Sequence, residues 1–261
     1  MSDSATIPPR VPLGAGQIIS ESFSLLFGNI VAVAVAAFIP ILFALAISGS
    51  LMGFDIMFGT AEPDVLAQGF AGVMIGTTLL SLAIYGIVTA IIVQLAYDAK
   101  SGRGTNFGKY ASTAVQTLVP NVILTLVISI LAGFGMIALI IPGIWIYGVF
   151  AVTIPVLVIE RVGFGSMGRS AELTKEYRWP VIGTIIVIGI AAGILNLIPT
   201  FIVQWLLGSL GSGSIAFLVV LSALLQTLSY GLVSIGLALI YARLREIKDG
   251  VGIEDLVGVF E

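Results

Sequence analysis

The sequence predicts an all-α fold, a polytopic membrane protein whose six transmembrane helices form three hairpins. Each hairpin is preceded by a short amphipathic cytoplasmic or interfacial helix. Three observations carry this reading. Hydrophobic residues fill 58% of the 261 positions and charged residues 10%, where a soluble domain carries about 25% charge. Polar surface is too scarce to cover a water-soluble body, so lipid is the solvent for most of the chain. Uncharged runs recur at bilayer length, roughly 20 helical residues for about 30 Å of hydrocarbon. Lastly, all 11 Lys and Arg residues fall on one side of the six-span reading, as basic residues do in cytoplasmic loops.

The opening residues, MSDSATIPPRVPLG, are polar and Pro-rich. They lack the basic start and apolar core of a signal peptide and read as a flexible cytoplasmic tail over 1–14. A single membrane domain follows over 15–247. Its first short helix puts Ile19, Phe23, Leu26 and Phe27 on one stripe, by their spacing of three and four. Spans at 30–51 and 70–96 come next. A second short helix offers Phe107, Ala111, Ala114, Val115 and Leu118.

The uncharged run Val119–Ile159 is about 60 Å long as a helix, too long for one crossing. It contains IIPGIW, and Pro142 with Gly143 predicts the turn. The run thus divides into 119–141 and 144–159. A third short helix carries Met167, Ser170, Leu173 and Tyr177 and leads into spans 180–203 and 214–241, joined by the GSLGSGS turn at Gly208–Ser214. Residues 248–261 form a cytoplasmic amphipathic end through Ile253, Leu256, Val257 and Phe260.

With both termini inside, the inner segments 1–29, 97–118, 160–179 and 242–261 hold every basic residue, and the outer loops hold none. Trp145 and Trp205 then fall near the outer boundary and Trp179 at the inner one, the depths indole prefers. Pro40, Pro155 and Pro199 fall inside spans, where proline kinks a helix.

The chain has no cysteine and no histidine, which removes thiolate chemistry, the commonest general base and the commonest metal ligand. No catalytic residue, metal site or cofactor is expected. A net charge of −3 offers no basic field for nucleic acid. No Asp, Glu, Lys or Arg lies within the six spans, so a charged relay through the membrane is not expected. The amides Gln94, Asn121, Asn196 and Gln226, with Tyr85 and Tyr230, are either interhelical hydrogen-bonding groups or the lining of a polar path. Gly72-x-x-x-Gly76 and Gly189-x-x-x-Gly193 permit close helix approach, within the chain or at a dimer face.

The segment ERVGFGSMGRSAELTKEYRWP, 160–180, concentrates charge in a chain poor in it. Its Arg161, Arg169, Lys175 and Arg178 are candidates for contact with anionic headgroups or a partner protein. A solvated helix face with i,i+3 pairs such as Arg169–Glu172 is the plainer reading.

The string IPGIW (141–145), then Pro155, Ile159–Glu160, Gly163, Arg169–Ser170, Leu173–Thr174, Trp179 and the ending YARLREIKDG (241–250) resemble a group of bacterial membrane proteins. That group is the glycerophosphoryl diester phosphodiesterase membrane-domain family, with the YciC-like proteins as relatives. The resemblance covers roughly 100–250. It implies a six-helix inner-membrane domain tied to envelope or lipid homeostasis, without a phosphodiesterase barrel and without transferable catalytic residues. One departure is Lys175–Glu176, where the resemblance implies a glycine near Glu176.

The expected function is a non-enzymatic inner-membrane protein that organises lipids, anionic ones included, or partner proteins, itself or another membrane protein among them. The alternative is a transporter or channel for a neutral or amphipathic solute. It requires a continuous cavity lined by Gln94, Asn196 or Gln226. An enzyme requires Asp98 and Glu160 to converge at one polar pocket.

Overall fold

The computed structural model describes residues 11–59, 61–210 and 215–250, and these are helical with no strand among them. Most of the expected amphipathic end at 248–261, most of the tail at 1–14 and part of the GSLGSGS turn lie outside the described residues. In chain order the helices are α1 (Ala15–Gly28), α2 (Ile30–Met52), α3 (Phe54–Met57), α4 (Phe70–Lys100), α5 (Phe107–Gln116) and α6 (Leu118–Ala138). Then follow α7 (Ile140–Phe150), α8 (Thr153–Ile159), a 3-10 turn at Gly163–Gly165, α9 (Ser166–Leu173), α10 (Arg178–Leu210) and α11 (Ile215–Asp249). Six helical segments are long and apolar enough to cross a membrane, α7 and α8 counting together. That agrees with an integral membrane protein.

Consecutive long helices pack on each other: α2 on α4, α6 on α7 and α10 on α11. The centre is α4 and α11, which also touch each other and α2. Along α4 the first half is largely exposed, whereas Gly86 and Val88–Asp98 are buried. α11 shows the same gradient, with its buried residues dense from Gly231 to Leu244. At 31 and 35 residues these helices reach roughly 46 and 52 Å, well beyond the hydrocarbon thickness. Their far ends are jacketed by the short elements: α1 on α11 and α10, α5 on α4, α8 on α4, and α9 on α7, α8 and α11. Ion pairs and hydrogen bonds join the four basic segments there, including Lys100–Glu21 at 2.7 Å and Lys248–Glu176 at 3.1 Å.

Several expectations need correction. The break in the long run comes at Leu139, whose extended backbone (φ −163°) separates α6 from α7. Pro142 is the third residue of α7, where a missing N–H leaves no helical bond unmade. Gly143 makes close approach rather than a turn. A Cβ there would sit 2.7 Å from the Met136 nitrogen and 3.0 Å from the Ala132 oxygen, and the Cβ of Gly135 would sit 2.9 Å from Gly143 Cα. A second interruption falls at Ala151–Val152, just before Pro155.

Trp145 does not lie at the opposite boundary from Trp179. The two rings are 5.4 Å apart, because α7 is only 11 residues long and packs against the start of α10. The tail is docked at its end: Leu13 is buried, Tyr177 donates its hydroxyl to Val11 O at 2.8 Å, and Arg243 donates to Pro12 O at 3.2 Å. α11 also continues through Asp249, past the expected domain end at 247.

The short helices are turned from their expected faces. α1 buries Ile18, Ser22 and Leu26 and exposes Phe27. α5 buries Tyr110, Thr113 and Ala114 while Phe107 and Val115 face outward. Only α9 keeps its expected stripe at Ser170, Leu173 and the following Tyr177. In lipid the most apolar face need not turn inward, and the inward hydroxyls of Ser22 and Thr113 donate to carbonyls of their own helices, Ile18 O and Lys109 O.

Candidate functional site

Where the jacket meets the ends of α4 and α11 there is a cavity of about 520 Å³. Its charged lining comprises Arg103, Lys109, Arg161, Arg169 and Arg245 against Asp98 and Glu160, so cations outnumber carboxylates. Gln94, Tyr97, Val158, Ile159 and Val162 complete the wall. Exposed Phe107, Val162 and Phe164 belong to the same helix ends and the adjoining turn. Apolar surface therefore accompanies the basic wall.

Asp98, at the end of α4, accepts a 2.7 Å hydrogen bond from the Tyr110 hydroxyl and lies 3.9 Å from Arg103. Burial, then the bond to Asp98, pushes the Tyr110 phenol up to about 12. Glu160, which follows α8, accepts from Arg169 Nε at 3.1 Å and from the Tyr241 hydroxyl at 3.0 Å. Arg169 on α9 also pairs with Asp249 at the end of α11 and stands 3.9 Å from Glu172. Burial works against the Arg169 cation, but Glu160 and Asp249 outweigh it and hold its pKa above the ordinary arginine value. Both carboxylates of the wall are thus occupied in fixing neighbours.

The cations are less completely matched. Arg161 donates to Thr113 Oγ1 at 3.0 Å and pairs with no carboxylate among the described residues. It reaches α5 because its backbone is left-handed, φ 56°, a conformation that costs a non-glycine residue of order 1 kcal/mol or more. The side chain of Lys109 has no partner among the described residues, although its backbone N–H is capped by Asn106 at 3.0 Å. The Arg245 Nε–H is buried with no hydrogen-bond acceptor, the nearest Asp249 oxygen being 3.6 Å away.

Of the four basic candidates from the sequence, Arg161 and Arg169 line the cavity. Lys175 is exposed, and Arg178 stacks over the Trp145 ring at 5.0 Å. Arg103, Lys109 and Arg245 were not singled out. Their charge signalled the side of the membrane, but no local spacing links 103, 109, 161 and 245. Asp98 and Glu160 do converge at one polar cavity, the condition set for an enzyme.

The four amides separate. Asn121 donates from α6 to Gly86 O on α4 at 3.0 Å. Gln94 donates to Ala90 O and to Tyr110 O, at 3.0 and 3.3 Å, and lines the basic cavity. Asn196 and Gln226 line a different feature, a groove of about 390 Å³ between α10 and α11 that also includes Tyr85, Ser229 and Tyr230. Cavity and groove share no lining residue. Between them Thr89 and Ser234 meet at 3.3 Å in the buried core, which separates the cavity from the groove at that point. Gly72, Gly76, Gly189 and Gly193 do not bring helices together within the chain. A Cβ at each would meet open space, and Gly189 and Gly193 border the groove.

Comparison with protein-family models, with curated proteins and with solved structures gave no match. Several residues of the segments 141–145 and 160–179 touch one another. Glu160 holds Arg169, Trp145 meets Trp179, and Ser170 and Thr174 both donate to Val149 O at 3.0 Å. That carbonyl lies at the interruption before Pro155. Glu176, where the resemblance implied a nearby glycine, has φ 74°, a backbone state that favours glycine.

Proposed function

We propose that the protein is a non-enzymatic integral membrane protein that binds anionic lipid headgroups at the basic cavity and thereby organises lipid around itself. The observation that carries this is the surplus of cations in the cavity, with Lys109 and Arg161 lacking carboxylate partners. Guanidinium and ammonium groups of this kind suit a phosphate, and the apolar residues beside the wall suit the acyl part of the same molecule. The bacterial inner membrane is the setting that the resemblance implies. Placement of the basic end in the cytoplasm, where anionic inner-leaflet lipids attract juxtamembrane bases, follows from the side on which Lys and Arg gather. The three-hairpin reading, with α1, α5 and α9 as leading helices, rests on the pairwise packing of the long helices.

The test is lipid exchange into nanodiscs containing phosphatidylglycerol or phosphatidylcholine, with native mass spectrometry of retained lipid. Anionic lipid is expected to be retained preferentially. Arg161→Gly together with Lys109→Gln is expected to weaken it at least about tenfold, since a hydrogen bond to a charged group contributes about 1.5–3 kcal/mol. Glycine keeps the left-handed backbone at 161, so loss of charge is separated from loss of fold.

One observation favours a second reading, an enzyme acting on a bound phosphodiester. Asp98 and Glu160 share the cavity. Both carboxylates are engaged by neighbours, which leaves neither free as a base. Incubation with defined lipids followed by mass spectrometry decides it: headgroup release that Asp98→Asn abolishes would establish the enzyme.

A further inference from the structure

The groove between α10 and α11 has a chemistry different from the basic cavity. Gln226 lies near the centre of the uncharged run 214–241, about 20 Å from either end at 1.5 Å per residue. Its amide and the Tyr230 hydroxyl have no hydrogen-bond partner among the described residues. Other polar groups nearby do find protein partners: Ser229 donates from α11 to Ala192 O on α10 at 3.2 Å, and Asn196 donates to the same carbonyl at 3.2 Å. Water at this depth is absent in a bilayer, so an unmatched amide there is costly unless something binds it.

Shape adds a second observation. Gly189 and Gly193 line the groove with nothing within 4 Å of where a Cβ would stand. They leave room instead of bringing helices together. The Tyr85 and Tyr230 rings pack at 5.8 Å, and Gln226 touches both this groove and a smaller cavity of about 60 Å³ that Ser48 and Ser81 also line. The Gln226 amide and the Tyr230 hydroxyl each offer a donor, an N–H and an O–H, that a ligand carbonyl can accept.

We infer that this groove binds a neutral, lipid-soluble molecule presenting a carbonyl to Gln226 and Tyr230, with its apolar body along the Gly189–Gly193 face. Two sources share that chemistry, a quinone dissolved in the membrane core and a diacylglycerol ester. The site is independent of the basic cavity, with which it has no lining residue in common.

The experiment uses the full-length protein in phosphatidylcholine nanodiscs, loaded with a decyl-substituted benzoquinone or with dioleoylglycerol. Retained probe is measured against empty nanodiscs. Retention of either probe, reduced at least tenfold by Gln226→Leu and by Gly193→Leu, is the expected result, and the probe retained identifies the source. No retention above empty nanodiscs, or retention that both variants leave unchanged, overturns the inference. Melting without ligand supplies a second arm. Gln226→Leu is expected to melt no lower than the natural protein, because no internal hydrogen bond is lost. A fall of several degrees would make Gln226 a structural residue and overturn the assignment.

Discussion

The basic cavity and the midspan groove are both polar features of an apolar chain, yet they handle polarity in opposite ways. In the cavity every carboxylate is held by a neighbour, and the surplus lies in cations near the ends of long helices. In the groove there is no charge, and the surplus lies in uncharged groups. Depth explains the difference. Charge is tolerated where helices leave the hydrocarbon, whereas at its centre even an unmatched amide is costly. Packing follows the same division, since α4 and α11 are buried at the basic end and thinly covered at the other.

The sharpest way to break the comparison is through glycines that face opposite surroundings. Gly143→Ala places a Cβ against backbone atoms of Met136 and Ala132, which cannot swing aside. We expect a loss of about 3 kcal/mol in chemical unfolding in detergent. Gly193→Ala, facing open space inside α10, is expected to be neutral or to stabilise by up to about 1 kcal/mol. Equal effects would show that the two surroundings do not differ.

Removing a cation from the network comes next. Arg169→Leu removes the shared cation of Glu160 and Asp249, whose side chains are 15% and 25% exposed, and leaves them the Tyr241 hydroxyl and Arg245. Breaking a buried pair costs about 3–5 kcal/mol, and the partial exposure here reduces the expected loss to about 2 kcal/mol. No change in unfolding would mean that the cavity wall is not held by this pair.

A smaller effect is expected from Asn121→Leu, which removes one interhelical hydrogen bond to Gly86 O and so about 0.6 kcal/mol. A pH effect at Tyr110 is confined to alkaline solution. Its folded pKa of about 12 exceeds the unfolded value of about 10. The associated stability is therefore complete below pH 10 and is lost as pH rises through 12. Tyr110→Phe is expected to flatten that part of the pH–melting curve, and an unchanged slope would contradict the assignment.

Composition and run length made the six spans legible, because bilayer thickness sets both. The gathering of basic segments was legible for the same reason, and Arg161 with Arg169 came with it. Three things were not. The break at Leu139 has no turn residue to announce it, and Pro142 is silent in a first helical turn. The inner faces of α1 and α5 were misread because apolar periodicity locates the core in water, while here Phe27 and Val115 face outward and Ser22 and Thr113 inward. Arg103, Lys109 and Arg245 reach the cavity only through packing between elements distant in sequence, and Gln226 reveals its missing partner only in three dimensions.

Headgroup binding at the basic cavity is tested most directly by comparing phosphatidylglycerol retention in nanodiscs by the natural protein and by the Lys109→Gln, Arg161→Gly double variant. The account predicts selective retention over phosphatidylcholine and at least a tenfold loss in a variant that melts normally. Equal retention of the two lipids, or a variant that binds phosphatidylglycerol as well as the natural protein, would contradict it.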